Sequence, residues 1–146
     1  MSEVFIAYKR EDRRRAEQLR AFLHERGVST WFDAELEIGV EWRPQIARQI
    51  DCAESMIVCW SRAACASPHV REEARLGLAR GMLAPVLFER CEIAPPFGVV
   101  TAADLSDWRG EAEHAAARAL LVRLAALLGR APLSDSIPSP ARRRVH

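Results

Sequence analysis

SMIVCW, residues 55–60, lies near the middle of the 146-residue chain and constrains its fold more than any other segment. The run is apolar, and a continuous apolar run of this length is typical of a strand that is covered on both faces. Strands of this kind occur in parallel sheets with helices packed on both sides. The run therefore predicts the centre of an α/β sheet, and the sequence on either side should supply the helices.

Strand and helix patterns alternate outward from this run. The predicted strands cover residues 3–8, 28–32, 55–60, 83–88 and, more weakly, 99–105. The predicted helices cover residues 13–26, a segment from Trp42 that continues through Ile50, residues 67–80 and residues 111–128. Strands separated by helices imply right-handed crossovers. We therefore predict a flavodoxin-like open sandwich, with five parallel strands in the order 2-1-3-4-5 flanked by helices.

Length and composition favour one domain. The chain is 49% hydrophobic, and this content is enough to form a core. Its net charge is +1, so no global field attracts nucleic acid or an anionic membrane. No apolar run approaches the ~20 residues that span a bilayer, and no signal peptide is visible. We expect a cytoplasmic domain over residues 1–128, followed by a disordered tail or linker over 129–146. If the chain is a fragment, the missing part is expected to be a sensor domain.

The four cysteines do not form a metal or redox motif. Cys52, Cys59, Cys65 and Cys91 match no C-x-x-C spacing, and the first two lie in apolar sequence. We therefore expect buried free thiols rather than disulfides or metal ligands.

Polar residues follow the predicted strands where a ligand would bind. In open α/β sheets, ligands bind beyond the carboxyl ends of the strands. The residues expected there are Tyr8, Lys9, Arg10, Asp33, Glu35, Glu37, Gly39, Ser61, Ser67, His69 and Glu73. An aromatic ring, two cations and a carboxylate suit an anionic, ring-bearing ligand such as a nucleotide.

Glu73 has two interpretations from position alone. It lies four residues after His69, so both share one face near the start of a helix. There it can stabilise a developing cation or bind ribose hydroxyls. Alternatively, it complements the helix dipole and pairs with Arg71 or Arg75. Hydrolase chemistry from Ser67, His69 and Glu73 is disfavoured, because Ser67 and His69 lie two residues apart at a helix start without a nucleophile elbow.

The sequence resembles a TIR (Toll/interleukin-1 receptor/resistance) domain over residues 2–128. VFIAY, residues 4–8, resembles the first-strand motif (D/E)-V-F-I-S-Y, with Ala7 in place of Ser. WFD, residues 31–33, with Gly39 resembles the second strand and the BB loop, and residues 55–61 resemble the third strand. SPHVREE, residues 67–73, resembles the S-x-W-V-x-x-E signature of bacterial and axon-degeneration TIR domains, with His69 in place of Trp.

The resemblance implies a role for each candidate residue. Glu73 matches the catalytic glutamate of NAD+ cleavage. The implied substrate-binding residues are Tyr8, Lys9, Arg10, Asp33, Glu37, Gly39, Ser61 and His69. Asp33, Glu37 and Gly39 among them match the start of the BB loop. Glu35, Leu36 and Ile38 would form its contact surface.

The resemblance implies an NAD+ nucleosidase that needs no metal and no cofactor, because NAD+ is the substrate. The products would be nicotinamide and ADP-ribose or a cyclic ADP-ribose. Activity would depend on self-association or on contact with other TIR domains, in a defence or toxin system. The alternative is a non-catalytic TIR adaptor, which the replacement of the signature Trp by His69 keeps open.

Overall fold

Ser55–Trp60 forms the central strand of a five-stranded parallel sheet. The computed structural model describes residues 2–32, 42–93 and 95–130. The strands are β1 (Val4–Ala7), β2 (Thr30–Trp31), β3 (Ser55–Trp60), β4 (Val86–Leu87) and β5 (Ala103–Asp104). Their order is β2-β1-β3-β4-β5, and every pair is parallel. The predicted sheet and its strand order are confirmed.

The described part of the chain contains five α-helices, four between strands and one after β5. They are α1 (Arg13–His24), α2 (Trp42–Cys52), α3 (Arg62–Cys65), α4 (Pro68–Ala79) and α5 (Ala115–Leu128). Short 3-10 turns cover Arg10–Asp12 and Phe97–Val99. The sequence did not predict α3, a single turn in which the side chain of Ser61 accepts a hydrogen bond from the N–H of Ala64.

The side chains of the strands alternate between two apolar cores. On one side, Val4 and Ile6 of β1 pack with α1 and α5. On the other, Phe5 and Ala7 pack with α2, α3 and α4. Because both faces of β1 and β3 are covered, these strands are apolar at every position except Ser55, rather than at every second one.

Two glycines fit specific needs of the backbone. Gly27 ends the first helical segment at φ 78°, a left-handed conformation that favours glycine. Gly77 lies where α4 crosses β3, and a Cβ there would approach the Sδ of Met56 to 2.8 Å. The absence of a side chain at Gly77 therefore sets how closely α4 packs on the sheet.

Several predicted strands and one predicted helix were longer than those in the structure. Val28 is not in β2, because its N–H bonds to the carbonyl of Leu23 and completes the end of α1. Leu83 forms only an isolated bridge to Met56, and Pro85, which lacks an N–H, precedes β4. The fifth strand shortens to Ala103–Asp104, and the 3-10 turn Phe97–Val99 occupies the start of its predicted span. The last helix starts at residue 115 rather than 111, because the side chain of His114 caps it.

The expectation of buried thiols was correct for Cys59 alone. All four cysteines are free, but Cys52 is exposed, and Cys65 and Cys91 are half-buried. Cys52 is the last residue of α2, where the helical turn puts Ile50 rather than Cys52 on the buried face. Among the described residues, no helix has the length and apolar character needed to cross a bilayer.

Candidate functional site

A cleft of about 660 Å³ lies at the carboxyl end of β1. The segment after the strand supplies four residues to its wall, and α4 and α2 supply most of the remainder. The lining residues of the cleft are Phe5, Ile6, Tyr8, Lys9, Arg10, Glu11, Ile46, Ser67, His69, Val70 and Glu73. Its volume lies within the range of about 300–1,000 Å³ that is usual for small-molecule sites.

The first two turns of α4 form one wall of the cleft. The Oγ of Ser67 accepts a hydrogen bond from the N–H of Val70 at 3.3 Å, and Pro68 occupies the first helical position. Val70 and Ala74 are buried against the sheet, which fixes the rotation of the helix. His69 and Glu73 consequently share the face that borders the cleft, as their spacing predicts.

A second recess adjoins the cleft between α2 and α4. This groove, of about 350 Å³, is lined by Arg43, Ile46, Ala47, Ile50, His69, Glu72, Glu73 and Leu76. Ile46, His69 and Glu73 line both recesses. Glu73 is half-buried on this boundary, with a charged cleft on one side and a more apolar groove on the other. A carboxylate in this position can act on a ligand that extends into both.

The two arginines near Glu73 on α4 differ in their exposure and in their partners. Arg75, one of the two partners suggested by position, pairs with Glu72 on the exposed face. Arg71 is half-buried, and its Nε has no hydrogen-bond partner among the described residues. Arg75 therefore has an ion-pair partner in Glu72, the residue before Glu73.

The residues after β1 differ in how much surface they present. Tyr8 is only 8% exposed, and its ring packs edge-on against Phe32 with the centroids 4.7 Å apart. Little of the Tyr8 ring is therefore open to stack on a ligand. Lys9 is half-buried and Arg10 exposed, so two cations border the cleft opposite Glu73.

Ser61 has a structural role and does not line the cleft described here. It is 2% exposed. Its hydroxyl donates to the carboxylate of Asp12 and accepts from the N–H of Ala64 at 3.1 Å, which caps α3. Next to it, the N–H of Arg62 donates to the carboxylate of Glu89 at 2.6 Å. The hydroxyl of Ser61 is thus used within the fold.

A charged network surrounds Asp12, which no sequence pattern predicted. Burial raises the pKa of Asp12, and the nearby carboxylate of Glu89 acts in the same direction. Arg15 donates to the main-chain carbonyls of Phe88 and Leu105, which lie just past the carboxyl ends of β4 and β5. Burial lowers the pKa of Arg15, and Arg109 adds to this effect. The network holds the ends of three strands together beside the cleft.

The other predicted site residues lie outside the described part of the chain. They are Asp33, Glu35, Leu36, Glu37, Ile38 and Gly39, together with most of the predicted tail over 129–146. Within the described ranges, no group of three metal-ligating side chains is present.

Comparison with known proteins identifies the family. A family model for the TIR domain matches residues 4–121. The chain belongs to the TIR domain family. This TIR domain also resembles solved structures, whereas no curated protein matches it.

Two of these structures are TIR domains of eukaryotic proteins. One is the crystal structure of the TIR domain of the Toll-related receptor TRR-2 from the lower metazoan Hydra magnipapillata, with 24% identity and a TM-score of 0.67, covering 73% of this chain and 86% of that one. The other belongs to the activated Roq1 resistosome, which directly recognises the pathogen effector XopQ, with 21% identity and a TM-score of 0.52. It covers 60% of this chain and 57% of that one. At these identities the likeness shows the fold.

Proposed function

We propose that this TIR domain is an NAD+ nucleosidase that cleaves the nicotinamide–ribose bond, with Glu73 as its catalytic residue. The observation that carries the proposal is the cleft at the end of β1, where Tyr8, Lys9 and Arg10 face the helix that bears His69 and Glu73. These segments are 60 residues apart and match the two motifs expected to form the nucleotide site.

The proposed chemistry rests on charge development at the ribose. Departure of neutral nicotinamide leaves an oxocarbenium-like sugar, and a carboxylate beside it stabilises the positive charge where it forms. Water then adds to give ADP-ribose, or an internal nucleophile of the nucleotide closes a cyclic ADP-ribose. We propose that Lys9 and Arg10 bind the pyrophosphate and that His69 contacts the sugar or base, since all three line the cleft. This reaction requires neither metal nor cofactor.

The proposal extends to assembly and location. We propose a cytoplasmic defence or toxin effector whose cleft becomes active on self-association, with the BB-loop residues Glu35, Leu36 and Ile38 at the contact. The resistosome that contains the Roq1 TIR domains is an assembly of that protein, and the shared fold makes a comparable assembly of this chain reasonable.

The decisive experiment compares the wild type with Glu73→Gln. Concentrated protein is incubated with NAD+, and nicotinamide and ADP-ribose products are separated by chromatography. We expect nicotinamide release to fall at least about 100-fold in Glu73→Gln, because the amide cannot stabilise the cationic sugar. Glu17→Gln, which alters an exposed carboxylate on α1 that lines neither recess, should keep wild-type activity. Equal turnover in the wild type and Glu73→Gln would refute the assignment.

The second candidate is a non-catalytic adaptor that binds other TIR domains. The groove between α2 and α4 favours it, because Ile46, Ala47, Ile50 and Leu76 form an apolar surface on which Leu76 is 40% exposed. No turnover by the wild type at any concentration, together with association detected by sedimentation, would favour this function over the nucleosidase.

A further inference from the structure

Two cysteines from separate elements face each other beside α4. Cys65 is the last residue of α3, and Cys91 lies in the loop after β4, 26 positions further along the chain. Their Sγ atoms are 3.6 Å apart. Cys52 is exposed and Cys59 is fully buried, so neither has the same combination of partial access and a neighbouring thiol.

The surrounding structure keeps the two thiols together. Both side chains pack at the margin of the apolar core that contains Trp60, Val70 and Phe97. One turn earlier in α3, the N–H of Arg62 bonds to the carboxylate of Glu89, two residues before Cys91. The helix and the loop are therefore joined at two successive points. Such positioning favours reaction between the two sulfurs over reaction with a second molecule.

We propose that Cys65 and Cys91 are a reversible redox pair that forms an intramolecular disulfide when a peroxide is present. The proposal is independent of the nucleosidase activity. In the first step, the thiolate of Cys65 attacks hydrogen peroxide. An S–O bond forms, the O–O bond breaks, and the departing hydroxide takes up a proton as water, which leaves a sulfenic acid. In the second, the sulfur of Cys91 attacks the Sγ of Cys65, and the hydroxyl leaves with the thiol proton as a second water.

The environment of Cys91 supports this order of events. Burial raises the pKa of the Cys91 thiol to about 12, and its hydrogen bond with Cys65 acts in the same direction. Cys91 consequently stays protonated and does not react first with peroxide, since the thiolate is the nucleophile. Once Cys65 is a neutral sulfenic acid, the charge of its thiolate no longer opposes ionisation of Cys91. The sulfur of Cys91 then attacks the Sγ of Cys65 while its proton passes to the departing hydroxyl group.

Formation of the disulfide is expected to change the position of the N-terminus of α4. A disulfide requires sulfurs about 2.05 Å apart, so the Sγ atoms, now 3.6 Å apart, must move closer by side-chain rotation or by a shift of α3 and the loop. Cys65 lies two residues before Ser67, the cap of α4, whose first turns carry His69 and Glu73. Oxidation would therefore act on the wall of the cleft without modifying a cleft residue.

The test follows the covalent bond directly. The purified chain is treated with stoichiometric hydrogen peroxide, free thiols are blocked with an alkylating agent, and peptides are mapped by mass spectrometry without reduction. We expect a peptide that links Cys65 to Cys91, reversed by dithiothreitol. Oxidation should raise the Tm by about 5–10 °C, since the bond closes a 26-residue loop.

Matched variants identify the partners. In Cys91→Ser, we expect a sulfenic acid at Cys65 that dimedone traps, with no rise in Tm. Cys52→Ser, at the exposed thiol, should still form the bond. Absence of the Cys65–Cys91 peptide in the oxidised wild type, or only intermolecular bonds through Cys52, would overturn the proposal. The wild-type mapping does not depend on the folding of any variant or on NAD+.

Discussion

At the scale of the residue, Asp12 makes the stability of the fold depend on pH. Burial raises its pKa above the ordinary value of 3.8, although the hydrogen bond from Ser61 opposes this shift. The folded protein thus holds this proton more tightly than the unfolded chain does. The contribution of Asp12 to stability is fully present below pH 3.8 and is lost as the pH rises through the folded pKa.

The substitution Asp12→Asn should remove this dependence, because the amide oxygen still accepts from Ser61 but carries no charge. We expect the free energy of unfolding of the wild type to fall, relative to that of Asp12→Asn, as the pH rises from below 3.8. Urea unfolding of both proteins over a pH series measures this difference. If the difference in unfolding free energy between the two proteins is constant across the pH series, the buried carboxyl of Asp12 is not the source of the pH dependence.

His69 is the residue at which this chain departs from the expected signature of the active family members. It is exposed and lines both the cleft and the groove, where the signature Trp would present a larger aromatic surface. If the nucleosidase proposal is correct, His69→Trp should lower the KM for NAD+ about two- to ten-fold, as expected from about 0.5–1.5 kcal/mol of stacking. Steady-state kinetics measure this KM, with His69→Ala as the control. A KM that is unchanged in His69→Trp would argue against stacking at this position.

At the scale of the element, the start of α5 depends on a histidine cap. The Nδ1 of His114 accepts a hydrogen bond from the N–H of Ala117 at 3.3 Å, so its proton lies on Nε2, 2.7 Å from the carboxylate of Asp107. We expect His114→Ala to lower the free energy of unfolding by about 1 kcal/mol, the usual cost of a lost cap. His114→Asn keeps an acceptor and should lose less. Equal losses in urea unfolding would assign the stabilisation to the contact with Asp107 instead.

The elements also show how far sequence reasoning extends. An apolar run predicted β3, because a strand covered on both faces is largely apolar. The alternation of strands and helices predicted the parallel sheet and its order. Helix periodicity with the Ser67 cap placed His69 and Glu73 on one face. By contrast, Arg15 bonds to carbonyls 73 and 90 positions away, and no local pattern encodes such contacts. Ser61 was assigned to the ligand site from its place after β3, but its hydroxyl is committed to Asp12 and Ala64.

At the scale of the whole molecule, the sheet divides the domain into two apolar cores that differ in what they border. The core shared with α1 and α5 includes Tyr8, whereas the core beneath α2 and α4 supports the helix that carries Glu73. The cleft lies where the two meet at the end of β1. The predicted BB-loop residues, which are proposed to contact a second copy, lie outside the described residues.

This arrangement leads to a prediction about concentration. If a second copy completes the cleft, the specific activity of NAD+ cleavage should rise with protein concentration, because the active species is an assembly. Nicotinamide release measured over a dilution series, alongside the sedimentation of the same samples, tests this. An equal mass of an inert protein should leave dilute samples inactive, which separates assembly from crowding. A specific activity that is constant while the protein sediments as a monomer would show that one chain forms a complete site.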